Sequence, residues 1–203
     1  MPYHASVFTH ELPQCPRCLQ SLRDLHETCR FCDFTFEQSQ TRFPFEPPAL
    51  ERFIDPESQL VPKVRAALNR RVEGLERTFS GLAFCHALVS LPQEADPREF
   101  GFWLINSAPL PSDKEAKEKE KRQRTVLLVY DRRGRRASLT VGYQLDPILT
   151  DAKLRALLEQ ANKSPAHSAG DFLKQYFLSL TTTLQDSLFD AQERSRLVYK
   201  EPA

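Results

Sequence analysis

Apolar positions recur at three- and four-residue spacing through Leu60, Val64, Leu68, Val72, Leu75 and Phe79, which predicts an amphipathic helix. Asp55-Pro56 supplies a capping residue and an N1 proline to open it, and Gly81 closes it. The next run, Leu82 to Leu91, is apolar without a helical period and reads as a central strand. Asp96-Pro97-Arg98-Glu99 has the form of a capping box and starts a second helix through Phe100, Trp103 and Leu104. Thr125 to Asp131, the turn Arg132-Arg133-Gly134-Arg135 and the alternating Ala137 to Tyr143 predict a hairpin. Thr150 then caps a helix through Leu154, Leu157 and Leu158. A final helix spans Asp171 to Arg194 with Phe172, Tyr176, Leu180, Leu184 and Leu188 on one stripe, although Thr181-Thr182-Thr183 is poor helical material.

The order α-β-α-β-β-α-α predicts an α/β fold, a three-layer α/β/α sandwich around a small mixed sheet. A helix joining the first two strands makes them parallel, and the hairpin makes the third antiparallel. The loop before Thr125 and the segment after Gly142 then share one end of the sheet, and the arginine turn lies at the other. Ahead of this sandwich, residues 37 to 56 show no sustained period and carry Pro44, Pro47, Pro48 and Pro56. The expected organisation is a zinc ribbon at 1–36, a Pro-rich connector at 37–54 and an α/β domain at 55–203.

The ribbon expectation rests on Cys15-Pro16-Arg17-Cys18 and Cys29-Arg30-Phe31-Cys32. Two C-x2-C loops separated by ten residues can turn four thiolates onto one ion, closing a tetrahedral shell with no position for water. A structural zinc held by Cys15, Cys18, Cys29 and Cys32 is therefore expected, with His26 outside the shell. Two disulfides fit poorly with a chain whose first fourteen residues show no apolar leader, and a cytoplasmic location is expected on the same ground. The remaining cysteine, Cys85, adjoins His86. Neighbours on a strand point to opposite faces, so the two are not expected to act as a nucleophile and its base, and Cys85 is expected to be a small buried thiol in a core strand.

Charge changes the picture little. Lys plus Arg number 28 and Asp plus Glu 27 in 203 residues, so bulk electrostatics select neither nucleic acid nor an anionic membrane. No apolar run approaches the roughly 20 residues of a membrane span. Arg132, Arg133, Arg135 and Arg136 crowd one turn, while the stretch Lys114 to Arg124 neutralises itself with glutamates; neither cluster carries interleaved aromatics.

Three segments resemble the TPM domain family: FIDPESQLV (53–61), RTVLLVYDRRGRRASLTVGYQL (124–145) and ILTDAKL (148–154). The resemblance implies an α/β/α sandwich. It also implies two kinds of activity, since members are described as divalent-metal-binding acid phosphatases or as auxiliary factors in assembling membrane complexes, and members are often exported or membrane-anchored. Where the family typically shows an acidic Lys-Asp-Asn-Gly-like tetrad, this chain has Lys121-Arg122-Gln123-Arg124. The family's other acidic positions correspond to Asp146 and Asp151. With cations facing these carboxylates, calcium or magnesium is not expected, and Arg122 or Arg124 is expected within salt-bridge reach of Asp146 or Asp151. The favoured reading is a binding or assembly-accessory module with a protein partner, not an enzyme. The alternative is a metal-dependent acid phosphatase using Asp146 and Asp151. A nucleic-acid-binding module using Arg132 to Arg136 is the third.

Overall fold

The computed structural model describes residues 14–23, 27–109, 120–163 and 168–198. Its elements in chain order are α1 (Phe36–Arg42), β1 (Phe53–Ile54), α2 (Pro62–Thr78), β2 (Ala83–Val89), α3 (Pro97–Ser107), β3 (Thr125–Asp131), β4 (Arg136–Val141), α4 (Asp151–Asn162) and α5 (Ala169–Val198). The sheet has the order β1-β2-β3-β4, parallel across β1, β2 and β3 and antiparallel at β3 and β4. The expected α/β fold with a mixed sheet is therefore present.

Sequence periodicity locates the long elements, and side-chain chemistry shifts their ends. Helix α2 starts at Pro62 because the Asp55 carboxylate is taken earlier, accepting the N–H groups of Gln59 and Leu60 in a turn where Ser58 has φ +51°. Asp55-Pro56 thus makes a turn and not the helix start. At α3, Asp96 accepts from the Arg98 N–H as expected, with Pro97 in the first turn. Glu99 does not complete the capping box; it turns into the protein. In α5 the awkward threonines are absorbed, since Thr181 and Thr182 donate to the carbonyls of Phe177 and Leu178 one turn back.

Alternation along β2 and β3 sends side chains to two cores. On one face Phe84, Leu88, Val126 and Leu128 pack with α2, α4 and α5 through residues such as Val72, Leu157 and Phe172. On the other, Cys85, Ala87, Leu127 and Val129 meet Phe100, Trp103 and Leu104 of α3. Gly101 lets α3 lie close on β4, where a Cβ would stand 2.5 Å from Thr140 Oγ1.

The second core continues into the N-terminal part of the chain. Residues 37–54, read as connector, carry α1 and β1. Thr35 caps α1 by accepting the Gln38 N–H, and Phe36 stacks edge-on to Phe102 at 6.1 Å. Phe43 packs 5.2 Å from Phe100 and 5.3 Å from Trp103. Phe34, beside the second cysteine pair, lies 5.7 Å from Phe102. Such aromatic contacts are worth about 0.5–1.5 kcal/mol each beyond the area they bury.

Candidate metal centre

Two turns of the same build present the cysteines. In the first, the Cys15 N–H donates to the Gln20 carbonyl and the Leu19 N–H to the Cys15 carbonyl. In the second, the Cys29 N–H donates to Phe34 and the Asp33 N–H to Cys29. Leu19 and Asp33, each four residues after its leading cysteine, hold φ +62° and +55°. This left-handed step costs a non-glycine residue energy, and in each turn it folds the loop so that both thiols face inward.

All five cysteines are free, and the four sulfurs of Cys15, Cys18, Cys29 and Cys32 lie within 4.8 Å of one another. The Cys15 and Cys32 sulfurs are 3.5 Å apart and those of Cys18 and Cys29 3.4 Å. Around an ion with metal–sulfur bonds of about 2.3 Å, tetrahedral corners stand about 3.8 Å apart, so this donor set fits a metal ion such as zinc. Burial pushes the Cys15 thiol up to about 12 and also raises Cys32. Burial acts the same way on Cys29, but the N–H groups of Phe31 and Cys32 and the Cys18 thiol outweigh it and bring Cys29 down to about 7. His26 lies outside the described residues.

Arg17, inside the first cysteine loop, reaches out of this centre. Its guanidinium lies over the Phe34 ring at 4.9 Å and donates to both carboxylate oxygens of Glu99 on α3 at 3.3 Å. Arg42 Nη1 at 3.0 Å and Ser39 Oγ at 3.1 Å complete the set around that carboxylate, which is 1% exposed. Glu99 reads as a capping residue in the sequence, and its partners stand 82, 57 and 60 residues away in the chain. An acidic side chain at the third position of an otherwise apolar helix face was the signal that could have marked it.

Cys85 and His86 point to opposite faces of β2, as expected. The Cys85 sulfur lies 3.6 Å from the Leu50 carbonyl, and burial lifts its thiol to about 12. His86 stacks on Phe53 at 4.9 Å and packs beside Tyr176 and Phe177. Its Nδ1 lies 2.7 Å from the Arg52 carbonyl, and complete burial drives its pKa down to about 4 against that hydrogen bond.

The acidic candidates come together on a different surface. Asp146 and Asp151 line one cavity with Arg98, Tyr143 and Pro16, on the side of β4 that meets the first cysteine loop. Backbone bonds from Gly142 to Thr125 and from Gln144 to Gln123 put the segments before β3 and after β4 at the same end, in keeping with the topology read from sequence. At Asp151 the paired cation is not one of the two expected. Asp151 pairs with Arg155 one turn along α4 at 2.7 Å. Arg124 pairs with Glu120 at 3.0 Å and donates to Gln144, and Arg122 donates to the carbonyls of Asn106 and Ala108 at the end of α3. The free carbonyls of a helix C-terminus attract a guanidinium, and that attraction captures Arg122. The run Lys114 to Lys119 lies outside the described residues.

A four-stranded mixed α/β sheet with a four-cysteine cluster docked on one face defines the class. The family model of the TPM domain matches residues 53–174, over half of the chain, and the chain belongs to that family. The cysteine cluster precedes the matched region. No curated protein matches the chain. No helix among the described residues is long and apolar enough to cross a membrane.

Proposed function

We propose that this chain is a zinc-stapled TPM-domain protein that acts as a binding or assembly-accessory module. The observation that carries the metal assignment is the four sulfurs gathered within 4.8 Å. Cys15, Cys18, Cys29 and Cys32 would hold zinc as thiolates, and the ion supplies a cross-link between the two turns, with all four positions taken by protein. Arg17 transmits that cross-link to α3 through Glu99.

The carboxylates favour binding over catalysis. Asp151 is engaged by Arg155, so a metal ion at that carboxylate would have to compete with a guanidinium already in place. The acid-phosphatase reading keeps one supporting observation, the shared cavity of Asp146 and Asp151. Metal analysis of reduced protein should give one zinc per chain, falling below half in Cys29→Ser. Zinc near zero with intact thiols overturns the metal assignment. A generic phosphomonoester assayed with calcium, magnesium and manganese should not turn over. Turnover abolished by Asp151→Asn would replace the binding reading with the phosphatase one.

A further inference from the structure

Strand β4 closes the sheet on one side, and no further strand pairs with it among the described residues. The register fixes which way its backbone points. The Gly142 N–H donates to the Thr125 carbonyl, and pairing repeats every second residue through Leu127 with Thr140, Val129 with Ser138 and Asp131 with Arg136. The N–H and C=O groups of Ala137, Leu139 and Val141 therefore face away from β3.

A groove follows this outward edge, walled by the start of α3 and by α4. Its wider lobe, about 530 Å³, is lined by Arg98, Ser138, Leu139, Leu154 and Leu158 among others. A narrower lobe of about 90 Å³ continues past Leu139 and Val141 to Pro16 of the first cysteine loop. Ser138 is 5% exposed, and its Oγ has no hydrogen-bond partner. At the hairpin end of the groove Arg132, Arg133 and Arg135 are exposed, and among the described residues none of their guanidiniums has an ion-pair partner. Arg136 is committed to Asp131 at 2.7 Å.

We propose that the β4 edge accepts an extended segment of another protein as a fifth strand, and that this segment carries a run of Asp or Glu at its carboxyl-terminal end. The proposal rests on the binding-module reading and names the kind of partner. An antiparallel strand places its carboxyl-terminal end over the β3–β4 turn, where the three unpaired arginines complement acidic side chains. Main-chain pairing with Ala137, Leu139 and Val141 supplies affinity, and the charge contact selects direction and register. A second copy fits this groove poorly, because α3 and α4 flank its own β4 and hold that strand back.

The test uses the full zinc-loaded chain and a fluorescein-labelled peptide, Thr-Val-Thr-Val-Thr-Val-Glu-Glu-Asp, with a twin ending in three lysines. By anisotropy the acid-ended peptide should bind about ten-fold or more tightly than its twin, and the gap should close in the double variant Arg132→Glu, Arg133→Glu. N-methylation at alternate peptide residues should weaken binding about ten-fold or more, since it removes ladder donors without touching the protein's fold. Hydrogen exchange at Ala137, Leu139 and Val141 should be fast in the free chain and slow in the complex. Equal affinity for the two peptides, or full binding by the N-methylated one, overturns the proposal. Slow exchange at these amides in the free chain overturns it by giving the edge to the chain itself, and dimerisation through β4 gives it to a second copy. Phosphomonoester turnover dependent on Asp151 would fail the binding-module reading without altering the exchange rates in the free chain, so the two failures are separable.

Discussion

Glu99 is a buried carboxylate met by Arg17, Arg42 and Ser39. Arg17 and Arg42 remain 30% and 40% exposed, so they can return to water when the acid is removed, and the loss is smaller than for a wholly buried pair. Glu99→Ala should cost about 2–3 kcal/mol in urea unfolding, and Glu99→Gln, which keeps an acceptor for Ser39, about half of that. His86 makes the opposite kind of prediction, because it is buried neutral. Above pH 6.5 its imidazole is unprotonated in both states and its contribution is constant. Between about pH 6.5 and 4 the unfolded chain takes up a proton that the folded chain refuses, so stability falls as pH falls, by about 3 kcal/mol at about 1.4 kcal/mol per pH unit. Urea midpoints across that window should show the slope in the native chain and a flatter one in His86→Phe. Strand parity made the separation of His86 from Cys85 legible in the sequence. The destination of Glu99 was not, because local capping logic and a tertiary ion pair compete for the same carboxylate and only the fold brings Arg17 within reach.

Among the elements, the contact of α3 with β4 is the tightest to test. Gly101→Ala places a methyl against Thr140 Oγ1 and 3.2 Å from Val129 Cγ2, and should cost about 1–3 kcal/mol. Adding Thr140→Ala should recover about half, and a fully additive double variant would show that the strain lies elsewhere. Periodicity revealed α2, β2, α3, the hairpin, α4 and α5, since each repeats an apolar spacing over several turns or pleats. It missed α1 and β1 for physical reasons. FEQSQTR offers one apolar residue in seven positions and no repeat to detect, and α1 is held by its Thr35 cap and by Phe36 and Phe43 in the shared core. Strand β1 is two residues long and depends on its register with His86 and Ala87.

At the scale of the whole molecule, the four-cysteine spacing made the cysteine cluster legible, whereas its attachment to the sandwich was hidden in scattered phenylalanines. Trp103, the single tryptophan, reports on that attachment because it packs 5.3 Å from Phe43 and 5.0 Å from Phe45. Chelation of the reduced protein should red-shift its fluorescence and lower the thermal midpoint in one transition seen equally by far-ultraviolet circular dichroism. Unchanged emission after metal loss would show that the aromatic contact survives without the ion. The continuity of this core sets a rule for engineering. Trimming the chain to the family-matched region would strip the cover from Phe100, Phe102 and Trp103 and leave a sticky aromatic wall, so the shortened protein should aggregate when expressed. The reverse graft is constrained in the same way: transplanted alone onto a foreign scaffold, the cysteine unit would leave behind the aromatic socket and the acid that seat it, and would arrive as a bare metal loop.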